Sequence, residues 1–328
     1  MIKTIALLYL FLNLTSLVNA NEANFNLWLK NFKKLAEEKG ISKDTVETVL
    51  IDVKFLDKVI VYDNRQPEFF EKTNLYISKR ATPRALNKAR IKLKENIKIF
   101  EKVEKEFSVE KEILLALWSI ETNFGNNLGK MDIVSSLATL SFDKRRSEYF
   151  TNQLLILLSL VDKKIISKSM LFGSWAGALG NFQFMPSTIL NHGIDYDNDG
   201  KIDLKKSKYD SIASAANYLN KIGWKYKEGC FYEVKFSKNV KKTFFNHSAR
   251  NIKNRNTSNF WNTNGLIFKK NNSKIKIPYK TALVLPDGDI SSPKYLVLSN
   301  YEKILNWNRS LRFALTVCTL AERIKNDS

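Results

Sequence analysis

A chain of 328 residues with 44% hydrophobic content can bury a substantial core, which excludes wholesale disorder. Its 53 lysines and arginines against 33 aspartates and glutamates give a formal charge of +20, favouring a polyanionic partner such as nucleic acid, anionic lipid or an acidic cell-wall polymer. Two cysteines and two histidines leave no CxxC arrangement and no HExxH spacing, so zinc hydrolysis and a Ser/His/Asp triad have little support.

The first twenty residues read as an export signal: Lys3 gives a basic start, Ile5 to Leu17 an apolar stretch, and Val18-Asn19-Ala20 a small-residue cleavage site. The stretch is short for a membrane span and is interrupted by Asn13, Thr15 and Ser16, and no later segment reads as transmembrane. The expected address is therefore the periplasm, with cleavage near Ala20 and no anchor afterwards. Export lowers the weight of nucleic acid as the partner, and the lysines read as scattered over polar helix faces.

Helical spacing of Phe25, Leu29, Phe32 and Ala36 predicts a first helix ended by Gly40, and Ser42 opens a second. Residues 63–69 break periodicity, with Pro67 suited to a helix entry. Pro83 begins a long basic helix through Lys105, and Leu137 to Phe142, Tyr149 to Val161 and Ile165 to Phe172 continue the helical theme. Asp210 or Ser211 caps a small-residue helix over 212–219 that stops before Gly223-Trp224. Short β-like runs at 231–236, 266–268 and 295–298 predict a mixed lobe over about 229–299, followed by one closing helix from about Tyr301 to Arg323. Cys230 and Cys318 are left open between one disulfide and two buried thiols.

Two stretches carry chemistry. Glu121 ends the apolar run Ile113 to Ile120 and precedes Thr122-Asn-Phe-Gly125. A carboxyl there either pairs with a cation or, deprived of hydration, becomes a weak acid with a pKa raised towards about 6, which suits a general acid. Some fifty residues later, Gly173 to Ser187 is rich in glycine and aromatics, with Gly173, Gly177 and Gly180 allowing close backbone approach to a ligand. Phe182, Phe184 and Met185 read as core. A third stretch, Asp195-Tyr-Asp-Asn-Asp-Gly200 with Asp203, places acids where a calcium loop has ligands one, three, five and nine. Position twelve is Lys206 instead of a bidentate acid, so the candidate metal set is Asp195, Asp197, Asp199 and Asp203, for a structural calcium only.

The ordered motifs are Glu121-Thr-Asn-Phe-Gly125, Leu137 to Phe142 with Arg145-Arg146, Gly177-Ala-Leu-Gly-Asn-Phe-Gln-Phe-Met-Pro-Ser187, Asn217-Tyr-Leu219 with Gly223-Trp224, and Trp307-Asn-Arg-Ser310. Together they resemble the lytic murein transglycosylase B family over essentially the whole chain beyond the signal. The resemblance implies a mainly α (α+β) fold: a lysozyme-like helical catalytic core at about 105–228, a helical N-terminal part, a small mixed C-terminal lobe and a closing helix at about 300–325. It implies cleavage of the β-1,4 bond between N-acetylmuramic acid and N-acetylglucosamine, leaving a 1,6-anhydromuramyl end, with no required cofactor. It further implies that Glu121 is the single acid/base and that Ser174, Gln183, Tyr218 and Asn308 hold the sugar. Arg145 and Arg146 fall near the peptide stem, and Trp307 and Phe313 fall where relatives carry tyrosine. Expected partners are glycan strands and stem peptides, with cell-wall synthesis or division proteins beyond them. The other readings are a catalytically idle wall-binding protein and a hydrolytic muramidase.

Overall fold

The computed structural model describes residues 22–64 and 70–326; the export signal and the expected helix entry at Pro67 lie outside the described residues. In chain order come helices α1 (residues 22–38), α2 (Lys43–Val49), α3 (Asp57–Asn64), α4 (Thr73–Arg80), α5 (Pro83–Glu95), α6 (Ile97–Phe107) and α7 (Lys111–Thr122). Strand β1 (Met131–Asp132), helices α8 (Ile133–Phe142) and α9 (Ser147–Asp162), strand β2 (Phe172–Gly173), and helices α10 (Pro186–His192) and α11 (Lys208–Lys221) follow. The remainder is β3 (Phe231–Phe236), α12 (Ser258–Thr263), β4 (Leu266–Phe268), β5 (Ala282–Val284), β6 (Lys294–Val297), α13 (Ser299–Trp307) and α14 (Leu311–Asn326). The chain is thus mainly helical with small antiparallel sheets, as expected. Among the described residues no helix is long and apolar enough to cross a membrane.

Four elements differ from the sequence reading. The long basic helix is two helices, because Asn96 leaves helical geometry and its side-chain amide donates to the Lys92 carbonyl at 2.8 Å, competing with the backbone ladder. Residues 165–172 hold only a 3₁₀ turn at Lys168–Met170 before β2. Helix α11 starts at Lys208, so Asp210 and Ser211 lie inside its first turn instead of capping it. The closing helix is also two: Asn308 turns extended (φ −141°, ψ 120°), and the Ser310 hydroxyl accepts from the Phe313 amide at 3.2 Å to start α14.

The described residues form two compact units. The first comprises residues 22–64, 128–191 and 195–207. Its core is α8, buried along almost its whole length, packed on α9 and α3. Phe25, Trp28, Phe55 and Phe142 form an aromatic cluster with ring centroids 5.5 to 6.2 Å apart. Asp132 caps α8 by accepting from the Val134 amide at 3.0 Å. The Ser135 and Thr139 hydroxyls on α8 accept from the backbone amides of Lys54 and Leu56, both at 3.0 Å, which pins the loop before α3.

The second unit comprises residues 70–127, 192–194 and 208–326. In it α14 packs on α7, α13, α4 and α5, and α11 packs on α6. The run of alanine and serine along α11 is wholly buried, since small side chains let helices approach closely. The sheet has the order β4-β3-β6-β5, all antiparallel, with Tyr232 opposite Leu296 and Val234 opposite Phe268. It has its own core of Val234, Trp261, Leu266, Ile275, Leu283 and Leu296. The disulfide Cys230–Cys318 joins the start of the sheet region to α14, with Cα atoms 6.1 Å apart; the two-thiol alternative is not what the structure holds.

Candidate active site

In the second unit, Ile113 to Trp118 of α7 are all buried, and this anchors the last turn, where Glu121 is half-buried. The chain then makes an abrupt left-handed turn through Asn123 (φ 50°), Phe124 (φ 59°) and Gly125 (φ 81°). Two non-glycine residues in that region are strained, and such strain concentrates at functional sites. The turn is held from several sides. The Phe124 amide donates to the Trp118 carbonyl at 3.1 Å, the Gly125 amide to the Thr122 hydroxyl at 3.0 Å, and Lys88 Nζ to both the carbonyl and the side-chain oxygen of Asn123 at 2.9 Å. Burial, aided by Lys92 and Arg84, holds the Lys88 ammonium below its ordinary value.

A line of rings leads to the carboxyl group. Trp307, at the end of α13, donates from Nε1 to Glu121 Oε1 at 2.9 Å. Its ring lies 5.1 Å from that of Tyr218 on α11, which lies 4.7 Å from that of His192. The Tyr218 hydroxyl donates to the Asn306 carbonyl at 3.1 Å, and burial pushes the phenol above its ordinary value, so it stays a donor. The Asn217 amide fixes the His192 carbonyl at 3.0 Å. Burial, with Lys221 adding to it, holds the His192 imidazole below its ordinary value, and its buried Nδ1 has no hydrogen-bond partner among the described residues. No metal-ligand or triad spacing marks His192 in the sequence.

Of the remaining expected residues in this unit, Asn308 is half-buried at the break between α13 and α14, one residue past Trp307. The turn that holds it there is closed by the Ser310 amide, which donates to the Asn308 carbonyl at 2.8 Å. Phe313 is buried, 3% exposed, on the core side of α14. The reason lies in the sequence: it sits in the apolar stripe Leu311, Ala314, Leu315 and Cys318.

The first unit holds the other expected residues. Ser174 closes a tight loop, its hydroxyl accepting from the Ala178 amide at 2.9 Å and its own amide donating to the Ala178 carbonyl at 3.0 Å. Gln183 sits at φ 50°, with Nε2 donating to the Gly180 carbonyl at 3.0 Å. The nitrogen end of its amide is committed to the loop. Gly180, at φ 72°, has no room for a Cβ, which would lie 2.5 Å from the Leu204 carbonyl oxygen. Phe182 and Phe184 are core, while Met185 is half-buried. Arg145 and Arg146 both pair with Asp63 of α3, whose carboxylate is nearly inaccessible, so they are a structural ion-pair cluster as well as a basic surface.

In the acidic loop, Asp195 and Asp197 bring carboxylate oxygens within 4.8 Å of each other. Asp195 accepts from the Asp199 and Gly200 amides at 3.1 and 2.8 Å, the turn that a calcium loop makes around its glycine. Asp199 and Asp203 point elsewhere: Asp199 accepts from the Lys201 amide at 2.9 Å, and Asp203 from the Lys205 and Lys206 amides at 3.0 and 2.9 Å. Within this unit, two converging carboxylates are a partial fit to an ion that takes six to eight oxygens.

The chain is similar to known proteins over most of its length. A family model described as Transglycosylase SLT domain matches residues 24–322. The membrane-bound lytic murein transglycosylase B of Escherichia coli (strain K12) is 31% identical over 201 residues, 58% of this chain and 55% of that protein, so the matched part spans about half the relative's length. The structure of SltB3 from Pseudomonas aeruginosa in complex with NAG-NAM-pentapeptide superposes with a TM-score of 0.84 at 30% identity, covering 92% of this chain and 79% of that one. The structure of the Escherichia coli lytic transglycosylase Slt35 in complex with calcium gives a TM-score of 0.75 at 26% identity, covering 94% of both chains. With the family model spanning nearly all of the described residues, the chain belongs to the transglycosylase SLT domain family.

Proposed function

We propose that this chain is an exported peptidoglycan lytic transglycosylase that cleaves the β-1,4 bond between N-acetylmuramic acid and N-acetylglucosamine and leaves a 1,6-anhydromuramyl end. The observation that carries the reading is Glu121, held at the end of a buried helix and oriented by the Trp307 indole. In this mechanism protonated Glu121 donates to the glycosidic oxygen, and the leaving sugar departs as the alcohol. The muramyl N-acetyl group, or the oxocarbenium ion itself steadied by nearby dipoles, carries the electron deficit at carbon 1, so a second carboxylate is not needed. Ionised Glu121 then takes the proton of the muramyl 6-hydroxyl, whose oxygen closes on carbon 1. No water is consumed, and the carboxyl group ends the cycle protonated.

Trp307 and Tyr218 offer ring faces for sugar, and Ser174, Gln183 and Asn308 offer polar contacts. The disulfide suits an oxidising compartment such as the periplasm. Calcium at Asp195 and Asp197 is a structural adjunct with no step in the reaction. The test is mass spectrometry of muropeptides released from purified sacculi. Anhydro ends, lighter by one water than hydrolytic ends, support the proposal, and Glu121→Gln should release none. Reducing ends would make the protein a muramidase, and intact sacculi would make it a binding protein.

A further inference from the structure

The basic residues are not spread evenly along helix faces. Between Val234 and Pro286 the chain has twelve lysines and arginines and no aspartate or glutamate, so this segment alone carries +12 of the chain's +20. It supplies most of the four-stranded sheet region, including β4, β5 and α12. Ten of the twelve cations are exposed; Lys269 pairs with Glu233 and the half-buried Arg255 with Glu302, both acids from outside the segment. Lys238, Lys241, Lys242, Lys270, Lys274 and Lys276 are exposed side chains that face no acid of their own segment. An excess of exposed positive charge attracts a polyanion.

We infer that this sheet region is a second binding surface, for the carboxylate-bearing peptide stems of the cell-wall mesh. The inference rests on the reading that the chain works on peptidoglycan, whose stems supply free carboxylates at many points. A bilayer surface fits the residues less well. Interfacial binding needs large apolar side chains presented outward, and here Phe244, Phe245, Phe260 and Phe268 are packed against the sheet core. Exposed lysines would hold the mesh by summed charge without fixing a register. The enzyme stays on its substrate between cuts.

The experiment measures co-sedimentation of the Glu121→Gln chain with purified sacculi, which that variant leaves intact. Retention should weaken by at least about ten-fold as salt rises from roughly 50 to 200 mM. Changing all six named lysines to Gln should weaken retention by about ten-fold or more at low salt and flatten the salt dependence, with the thermal midpoint unchanged. Sacculi whose carboxyls have been amidated should fail to retain the unmodified chain, a control that does not depend on the variant folding. Equal retention of the six-lysine variant, or equal retention on amidated sacculi, overturns the inference. So does a six-lysine variant that loses binding only to phosphatidylglycerol vesicles or to DNA. An active-site proposal that fails, with no anhydro ends from the unmodified chain, leaves these binding outcomes readable on their own.

Discussion

Trp307 and Glu121 are 186 residues apart in sequence, yet the indole Nε1 donates to the carboxylate at 2.9 Å. A hydrogen bond to a charged group contributes about 1.5 to 3 kcal/mol, and this one fixes where the acid's oxygen points. Trp307→Phe keeps a ring against Tyr218 and removes the donor. Turnover on sacculi should fall about 10- to 100-fold with the thermal midpoint nearly unchanged. Unchanged turnover would make Trp307 a packing residue only.

Asp63 gives a second coupled set. Its buried carboxylate receives both Arg145 and Arg146, while each arginine is more than two-fifths exposed. Loss of one half-solvated partner should cost less than about 1 kcal/mol, since the other still neutralises the acid. Loss of both leaves a buried, unpaired carboxylate, and Arg145→Ala with Arg146→Ala should cost about 3 kcal/mol, more than the sum of the singles. Urea unfolding checks this. Additive singles would break the coupling, and a single variant that raises KM without moving the urea midpoint would assign that arginine to the substrate.

Much of this was legible in the chain, and the misses share a cause. An apolar run marks α7, helical spacing marks α8 and α9, and short β-like runs mark β3, β4 and β6. Strand β5 is Ala282-Leu-Val284, buried on both faces, so no alternation marks it. The break at Asn308 carried a local signal, a serine two residues on that caps the next helix, but the apolar spacing on either side ran through it. Motif order singles out Glu121 and Tyr218, whereas Asp63 and His192 meet partners 82 and 26 residues away, which no local pattern encodes.

The disulfide spans 88 residues of sequence. Loop-closure entropy of that length predicts about 4 to 5 kcal/mol of stabilisation through the unfolded chain, and native disulfides of small domains give roughly 2 to 5 kcal/mol. Reduction, or Cys230→Ala with Cys318→Ala, should lower the urea midpoint accordingly. The candidate active site lies on other elements, so activity below the new transition should be kept. An unchanged midpoint under reductant would contradict the pairing.

His192 sets a pH dependence. Its folded pKa lies below the unfolded value of 6.5, so the unfolded chain binds the proton more readily. The contribution to stability is therefore complete above about pH 6.5 and declines as pH falls through the lower folded value. Protonation also places a second N–H where Nδ1 has no acceptor among the described residues. Urea midpoints measured from about pH 7.5 down to about pH 5 should slope downward, and His192→Gln should flatten that part of the slope. A slope that survives the substitution assigns it to other groups.

The acidic loop predicts weak calcium binding with a specific remedy. Asp195 and Asp197 converge, but position twelve is Lys206, whose backbone amide is tied to Asp203 and whose ammonium opposes a cation. Calcium should raise the thermal midpoint only near millimolar concentration, the weak end of loop affinities, about 10⁻⁴ to 10⁻³ M. Lys206→Glu removes the opposing charge and supplies the bidentate acid that such loops carry at that position, so the calcium titration should shift at least about ten-fold tighter. Asp195→Asn in that background should reverse the gain, because Asp195 both lines the ion's position and shapes the turn through the Asp199 and Gly200 amides. If Lys206→Glu leaves the titration unmoved, the loop takes a different path around the ion, or holds none.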